Sequence, residues 1–342
     1  MGITMIDTKR ALVGDLHLGA HSNSENWHQT SLNFARFLRD QLIDLNVTAI
    51  EFFGDFFDNR NEIGVQTLHV ASEFLDILAE FDITIICGNH DMFFKNRTDV
   101  HSISILSGRK NIKVIDTPRV EQIGQIKVLQ LPWGGVIDEN ISVDMVFGHL
   151  ELNGFYMMAG KPADGKIDPN EILKRTDMIF SGHFHLRDER KYSNGKTVVY
   201  IGSPYQLNWG EASNIPGFYI MDFNTKEYTF IENTVSPRHI KMFSDEPYRK
   251  EEVEKNIVSF EFGSETPEEQ MAIRNKLFEC APSEVKFTNR KQTTIDTTSE
   301  VVYDDNINLL DMMFDFVDNL NIKDMTDPVK DTLKELYTNH AK

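Results

Sequence analysis

The chain has 342 residues, 40% of them apolar and 26% charged, the balance of an ordinary soluble globular protein. It carries 53 acidic and 35 basic side chains, a net charge of −18, which argues against strong DNA binding by this chain alone, since such binders carry a basic footprint. No apolar run approaches the ~18 residues of a membrane-spanning helix, no basic-then-apolar leader opens the chain, and Cys87 and Cys280 read as two reduced thiols in a cytoplasmic protein.

Residues 9–14 read as a strand. Phe34, Phe37, Leu38, Leu42 and Leu45 then recur at helical spacing, predicting a helix from Trp27 to Leu45. A strand over 49–53, a helix marked by Leu68, Ala71, Phe74, Leu75, Leu78 and Phe81, and a strand over 83–87 complete a βαβαβ pattern of parallel strands. Short strands are expected within 112–130 and at 145–147 and 178–180. Asn194-Gly195 marks a hairpin, and 217–223 with 227–231 forms another, so the second half of the core is expected to be more antiparallel than the first. Beyond Pro237, a strand at 257–262, a helix at 267–278 and a strand at 285–288 suggest a small α+β unit. A Thr-, Ser- and Asp-rich linker and two terminal amphipathic helices follow.

Five of these strands end in the same way: an apolar run, a glycine, then Asp, Asn or His. The stretches are Gly14-Asp15-Leu16-His17, Gly54-Asp55-Phe56-Phe57-Asp58, Gly88-Asn89-His90-Asp91, Gly148-His149 and Gly182-His183-Phe184-His185. Ligands of parallel sheets bind at the carboxyl ends of strands, so the five ends are expected to converge. Asp, Asn and His suit hard or borderline divalent cations. Asp15 and His17, and again His183 and His185, have one residue between them and face the same way on extended backbone. With Asp55, Asn89 and His149 this makes seven candidate ligands, enough for two ions with positions left for water and substrate. Two such ions hold a phosphodiester and activate water, and His90 is free to donate a proton to the leaving oxygen.

The set GDLHLG, GDFFD, GNHD, GHLE and GHFH resembles the calcineurin-like metallophosphoesterases. Within them it resembles the nuclease subunits of SbcD type, which act in double-strand-break repair with an ATPase. His149 to Tyr156 and Tyr200 to Gln206, with Trp209-Gly210-Glu211, bring it nearest the recombination endonuclease subunit of T-even-like bacteriophages. The resemblance is specific over residues 9–222.

The resemblance implies an α/β fold with α+β elements: a two-sheet β-sandwich flanked by helices, four αββα layers in all. It implies a phosphoesterase domain over 1–236, a DNA-capping domain over 237–292, a linker over 293–306 and a helical partner-binding motif over 307–342. It places one metal at Asp15, His17, Asp55 and His185 and the other at Asp55, Asn89, His149 and His183, with Mn²⁺ the usual ion. His90 becomes the catalytic histidine and Asp91 the group that orients it. Many relatives carry histidine where this chain has Asp58, which reads as a turn residue or a hydrogen-bond acceptor behind the metals.

The implied partners are DNA ends and a coiled-coil ABC-type ATPase of the SbcC kind, the latter met by Ile307, Leu310, Met313, Phe314, Val317, Leu333 and Leu336. A homodimer within a heterotetramer is expected, in the host cytoplasm, with no membrane contact. Tyr205, Arg238 and Lys241 are candidate DNA contacts; His21, His28, His69 and His340 receive no role. The rival readings are a free-standing phosphoesterase acting on small phosphodiesters or phosphoproteins, and a DNA-end scaffold without catalysis.

Overall fold

The protein is described here from a computed structural model over residues 8–290, apart from 96, 159 and 166. The chain opens with β1 (Lys9–Val13), α1 (Ala20–Asn23), α2 (Glu25–Asp44), β2 (Ala49–Phe52), α3 (Val65–Ile77), β3 (Asp82–Ile86) and β4 (Ile112–Ile115). Next come β5 (Arg119–Ile123), β6 (Ile126–Leu131), β7 (Met145–His149), the small pair β8 (Tyr156–Met158) and β9 (Lys161–Pro162), and α4 (Pro169–Leu173). They are followed by β10 (Met178–Gly182), β11 (Asp188–Lys191), β12 (Thr197–Tyr200), β13 (Gly217–Asp222) and β14 (Glu227–Glu232). The last stretch is β15 (His239–Phe243), α5 (Lys250–Val253), β16 (Ile257–Phe262), α6 (Pro267–Glu279) and β17 (Glu284–Asn289).

Two six-stranded sheets make the core, ordered β14-β13-β1-β2-β3-β4 and β11-β12-β10-β7-β6-β5. In the first, β1 to β4 pair in parallel, and β13 and β14 add antiparallel edges. In the second, β6, β7, β10 and β12 are parallel, and β5 and β11 are the antiparallel edges. The expected contrast along the chain holds: β1 to β4 pair with one another only in parallel, and every antiparallel pairing of the two sheets involves β5, β11 or β13. Both hairpins form, β11–β12 and β13–β14; the second lies wholly at one edge of the first sheet, whereas β11 and β5 flank the parallel strands of the second. A hairpin signal reports two neighbouring strands and says nothing about which sheet the pair joins.

Period-two alternation sorts the strand residues into layers. Ala11, Val13, Ile50 and Phe52 face α2 and α3, whose Phe34, Leu38, Leu42, Phe74 and Leu75 cover them. Leu12 and Phe53 point the other way and meet Phe147, Phe180 and Val199 between the sheets. Val146, Ile179 and Val198 turn outward to Ile172 and Leu173 of α4. This is the four-layer αββα arrangement, with a thin outer layer on the second sheet.

Glu51 shares its strand face with Phe53 and is fully buried. Arg10 lies 2.9 Å from it and Gln130 donates to it at 2.6 Å, while Glu121 holds the other arm of Arg10 at 2.9 Å. Burial pushes the Glu51 carboxyl up and Arg10 opposes the shift. The inter-sheet layer thus closes on a paired ionic network, as a buried charge requires.

The strands β15, β16 and β17 form a separate, all-parallel sheet with α5 and α6 as crossovers. Its own core holds Met242, Val253, Val258, Phe260, Phe262 and Leu277. Helix α6 starts where Thr266 and Glu269 cap each other's backbone N–H groups, with Pro267 in the first turn, the start signal its sequence carries. The linker, the two terminal helices and the seven partner-binding residues lie outside the described residues.

Phe74 of α3 is fully buried against Phe52 and Phe56, at 6.1 Å from each ring. Phe74→Ala is expected to cost about 3–5 kcal/mol, read as a lower urea midpoint with an unchanged slope.

Candidate metal centre

The five strand ends meet at one place, and the glycines explain how. A Cβ on Gly88 would overlap the Asp55 carboxylate and backbone N; one on Gly54 would overlap the His149 ring. Each glycine is thus the surface on which the next motif's side chain rests. Gly54 also takes φ 95, open to glycine at little cost. Three candidate ligands hold left-handed backbone without that freedom: His17 (φ 48), Asp55 (φ 47) and His183 (φ 87). Such conformations cost of order 1–3 kcal/mol each and persist where the surroundings over-determine them.

All seven candidate ligands come together. Asp15, His17 and His185 form one group that could hold a metal ion, and Asp55, His149 and His183 form another. Asp55 Oδ2 lies 3.7 Å from His17 Nε2 and 3.4 Å from His149 Nε2, which places it between the groups. Asn89 Oδ1 is 2.8 Å from His149 Nε2 and 2.9 Å from His183 Nδ1. Two features fit a divalent cation in particular. His17 Nε2 and His185 Nε2 face each other at 3.0 Å, and Asp15 Oδ2 is buried without a hydrogen-bond partner. His17, Asp55, Asn89, His90, His183 and His185 line one cleft of about 350 Å³.

His90 lies beside these ligands, its ring 4.8 Å from that of His17. What orients it differs from the expectation. His90 Nδ1 donates to the backbone carbonyl of Asp58 at 2.6 Å, not to Asp91. Asp91 is fully buried and accepts from the backbone N–H groups of Phe56, Phe57 and Gly88 at 3.0, 3.2 and 2.9 Å. It ties the second motif to the third. Sequence adjacency suggested a partner for His90, but three buried amide donors claim both oxygens first. The Asp58 side chain bonds His17 Nδ1 at 3.1 Å, so it is an acceptor behind a ligand and more than a turn residue.

Two participants receive no role at the metals from the sequence. Glu211, almost fully buried, bonds His185 Nδ1 at 2.8 Å and accepts from Ser203, Leu207 N and Asn208 at 3.0, 2.8 and 2.6 Å. His21 also lines the cleft. It sits in α1, where His21, Ser22 and Asn23 take φ of 54, 59 and 62, a left-handed turn of a kind that costs roughly 1–2 kcal/mol per residue. Asn23 N donates to Gly19 O at 3.0 Å, and its side-chain oxygen accepts from Thr67 Oγ1 at 2.6 Å; His21 Nε2 bonds Leu207 O at 2.7 Å. Both the Asn23 and Leu207 bonds join segments far apart in the chain or in unusual backbone, which no local spacing signals.

With this geometry in view, comparison by sequence is decisive. The chain is 31% identical over 235 residues to exonuclease subunit 1 of Enterobacteria phage T4, across 66% of this chain and 67% of that protein. The chain belongs to this SbcD-type family of calcineurin-like metallophosphoesterases. No family model matches it. Solved structures similar to it include a dimetal phosphatase from Danio rerio, 12% identical over 63% of this chain and 92% of that one, TM-score 0.41. Vps29 from Entamoeba histolytica, complexed with Zn²⁺, is 15% identical over 65% and 89%, TM-score 0.33. A 5′-nucleotidase precursor from Thermus thermophilus is 14% identical over 65% and 53%, TM-score 0.35. Family and site together make this a metal-dependent hydrolase of the nuclease and phosphoesterase class.

The charges in this phosphoesterase centre are mutually arranged. Burial alone would raise the Asp55 carboxyl, but the imidazoles of His149, His17 and His90 hold it far below the ordinary range. Burial disfavours charge on His149, yet Asp55 and Asp15 lift it to about 9. Burial is likewise overcome at His185, where Glu211 leads the rise to about 9. Burial and the neighbouring His149 press His183 down to about 3.

The remaining candidates fare unequally. Tyr205 is buried, with its hydroxyl bonded to Leu16 O at 2.5 Å and Ser31 Oγ at 3.0 Å; it offers no face to a base, and the expected DNA contact is withdrawn. Arg238 donates to Glu232 at 2.7 Å, which engages its guanidinium. Lys241 is exposed. Among the described residues no helix is long and apolar enough to cross a membrane.

A metal must displace the protons held by His149 and His185. Affinity for a divalent ion is therefore expected to rise with pH up to about 9, with proton release seen by calorimetry in buffers of different ionisation enthalpy. Glu211→Gln puts an amide N–H₂ where only acceptors fit. It is expected to weaken the ion beside His185 by about 10–100-fold, measured in the same titration.

Proposed function

We propose that the chain is the Mn²⁺-dependent nuclease subunit that hydrolyses phosphodiester bonds at DNA ends, exonucleolytically and endonucleolytically. One ion is assigned to Asp15, His17, Asp55 and His185, the other to Asp55, Asn89, His149 and His183. The observation that carries this reading is the position of Asp55, within 3.7 and 3.4 Å of one imidazole from each group, on the cleft that also holds His90. When bound, two such ions polarise a phosphoryl oxygen and lower the pKa of water.

The residues of the chain do the rest. His90 has Nδ1 committed to Asp58 O, so a protonated His90 has one N–H left, on Nε2, to give to the leaving oxygen. Asp58 and Glu211 orient His17 and His185 from behind, and Phe53 O accepts from His149 Nδ1 at 2.6 Å. Each of these rings thereby keeps its Nε2 for the ion. Asp91 keeps the Asp55 and His90 turns in register.

The name of the phage T4 relative, an exonuclease subunit, supports both a DNA substrate and a partner. That partner is assigned as a coiled-coil ABC-type ATPase, met by the helices beyond residue 306, in recombination, repair and replication of phage DNA. Helices α2 and α3 are assigned to a homodimer face. The net charge of −18 leaves substrate affinity to the bound cations, the partner and local contacts such as Lys241.

The test is cleavage of end-labelled linear DNA with Mn²⁺, with and without the ATPase. His90→Ser is expected to slow cleavage by about 10²–10⁴-fold while both ions still bind, and chelation to abolish cleavage reversibly. Turnover of a small phosphodiester with no cleavage of any DNA identifies a free-standing phosphoesterase instead.

A further inference from the structure

The second sheet delivers one more strand end to the metal centre, and this one carries no ligand. Strand β6 runs parallel to β7 with Leu131 beside Gly148, so the chain leaves β6 at the level of His149. It turns at once through Pro132-Trp133-Gly134-Gly135. Gly135 N donates to Pro132 O at 2.9 Å, and Gly134 takes φ 71, the positive value that the third residue of a type II turn requires. Trp133 N donates to Cys87 O at 2.9 Å, which ties the turn to the strand end that carries Asn89. The half-buried Trp133 ring lies 4.8 Å from the His183 ring at 42° and 5.9 Å from the His149 ring at 72°.

The four candidate imidazoles are not held alike. His17 Nδ1 bonds the Asp58 carboxylate, His185 Nδ1 the Glu211 carboxylate and His149 Nδ1 the Phe53 carbonyl. Among the described residues, no carboxylate or backbone carbonyl is bonded to the His183 ring. Its Nδ1 faces Asn89 Oδ1 at 2.9 Å, and both atoms belong to the shell of the same ion. The backbone of His183 is fixed by its N–H, which donates to Asp15 Oδ1 at 2.9 Å. The direction of its ring is left to the aromatic rings beside it, Trp133 and the adjacent Phe184, the latter at 4.9 Å. An imidazole drained of electron density by a bound cation is favoured beside the negative face of an indole.

We propose that Trp133 is the positioning residue of the second ion. Its ring holds the His183 imidazole in the direction that ligation needs, in the role that a carboxylate or carbonyl plays behind the other three histidines. The proposal rests on the two-ion assignment above and deepens it. The shell of Asp55, Asn89, His149 and His183 has one carboxylate, against two in the shell of Asp15, His17, Asp55 and His185. Its ion is therefore the more weakly held, and its retention depends most on how well the ligands are oriented.

The metal-free full-length protein is titrated with Mn²⁺ by calorimetry. The wild type is expected to bind two ions, one more weakly than the other. Trp133→Leu keeps apolar bulk and drops the ring. In it the weaker ion is expected to lose about tenfold in affinity while the tighter one is unchanged, and Trp133→Phe is expected to recover most of the loss. Glu211→Gln acts on the other ion, so combining it with Trp133→Leu is expected to weaken both. Cleavage of linear DNA by Trp133→Leu is expected to return at raised Mn²⁺ with kcat near that of the wild type. Two unchanged affinities in Trp133→Leu overturn the proposal. An equal loss of both, with a lower urea midpoint of the metal-free protein, also overturns it and makes the ring purely structural. So does a loss in Trp133→Phe as large as that in Trp133→Leu. A wild type that binds a single ion overturns the two-ion assignment itself, and the proposal with it.

Discussion

The rest of the structure depends on one buried carboxylate. Asp55 is 1% exposed, sits in left-handed backbone at φ 47, and accepts from His90 N at 2.7 Å. Two imidazoles flank its other oxygen. An isolated buried carboxylate would be costly. Here the cost is opposed by the flanking imidazoles, His149 foremost, and the balance is one a cation would strengthen. Glycine is required at 54 and 88, because any side chain there would occupy the space of His149 or Asp55. The parallel strands of both sheets deliver the remaining groups to it, and the ionic network around Glu51 helps hold the two sheets together.

A strongly acidic protein proposed as a nuclease presents an apparent conflict. It is resolved by locality. Two of the seven ligands are carboxylates, Asp15 and Asp55, and bound cations dominate the field at such a site. Several basic groups away from it are engaged: Arg10 with Glu51, Arg238 with Glu232, Arg290 with Asp245. Lys241 is left exposed, and the substrate contact proposed for it is a matter of local placement, not of net charge.

Much of this was legible in the sequence, for a definable reason. The ligand motifs are local: a strand, a glycine and a donor side chain within a few residues, repeated five times. Their convergence followed from parallel topology. The four layers were implied by the family resemblance, and alternation along β1, β2 and β7 shows how the strand residues sort into them. What escaped depended on packing between distant segments. Asp91 stands next to His90 in sequence, but its oxygens go to backbone amides of the Asp55 turn. The Glu211 residue has no spacing signal and reaches His185 only because Ser203, Leu207 and Asn208 fold around it. Tyr205 looked like a stacking ring, yet its hydroxyl finds two buried partners. The left-handed turn at His21 contains no glycine and could not be anticipated.

The central claim is that two ions share Asp55. Anomalous diffraction at the manganese edge, from crystals of the full chain grown with Mn²⁺, tests it most directly. The account predicts two peaks, both against Asp55, one beside Asp15, His17 and His185 and the other beside Asn89, His149 and His183. A single peak, or two with only one of them touching Asp55, would contradict it.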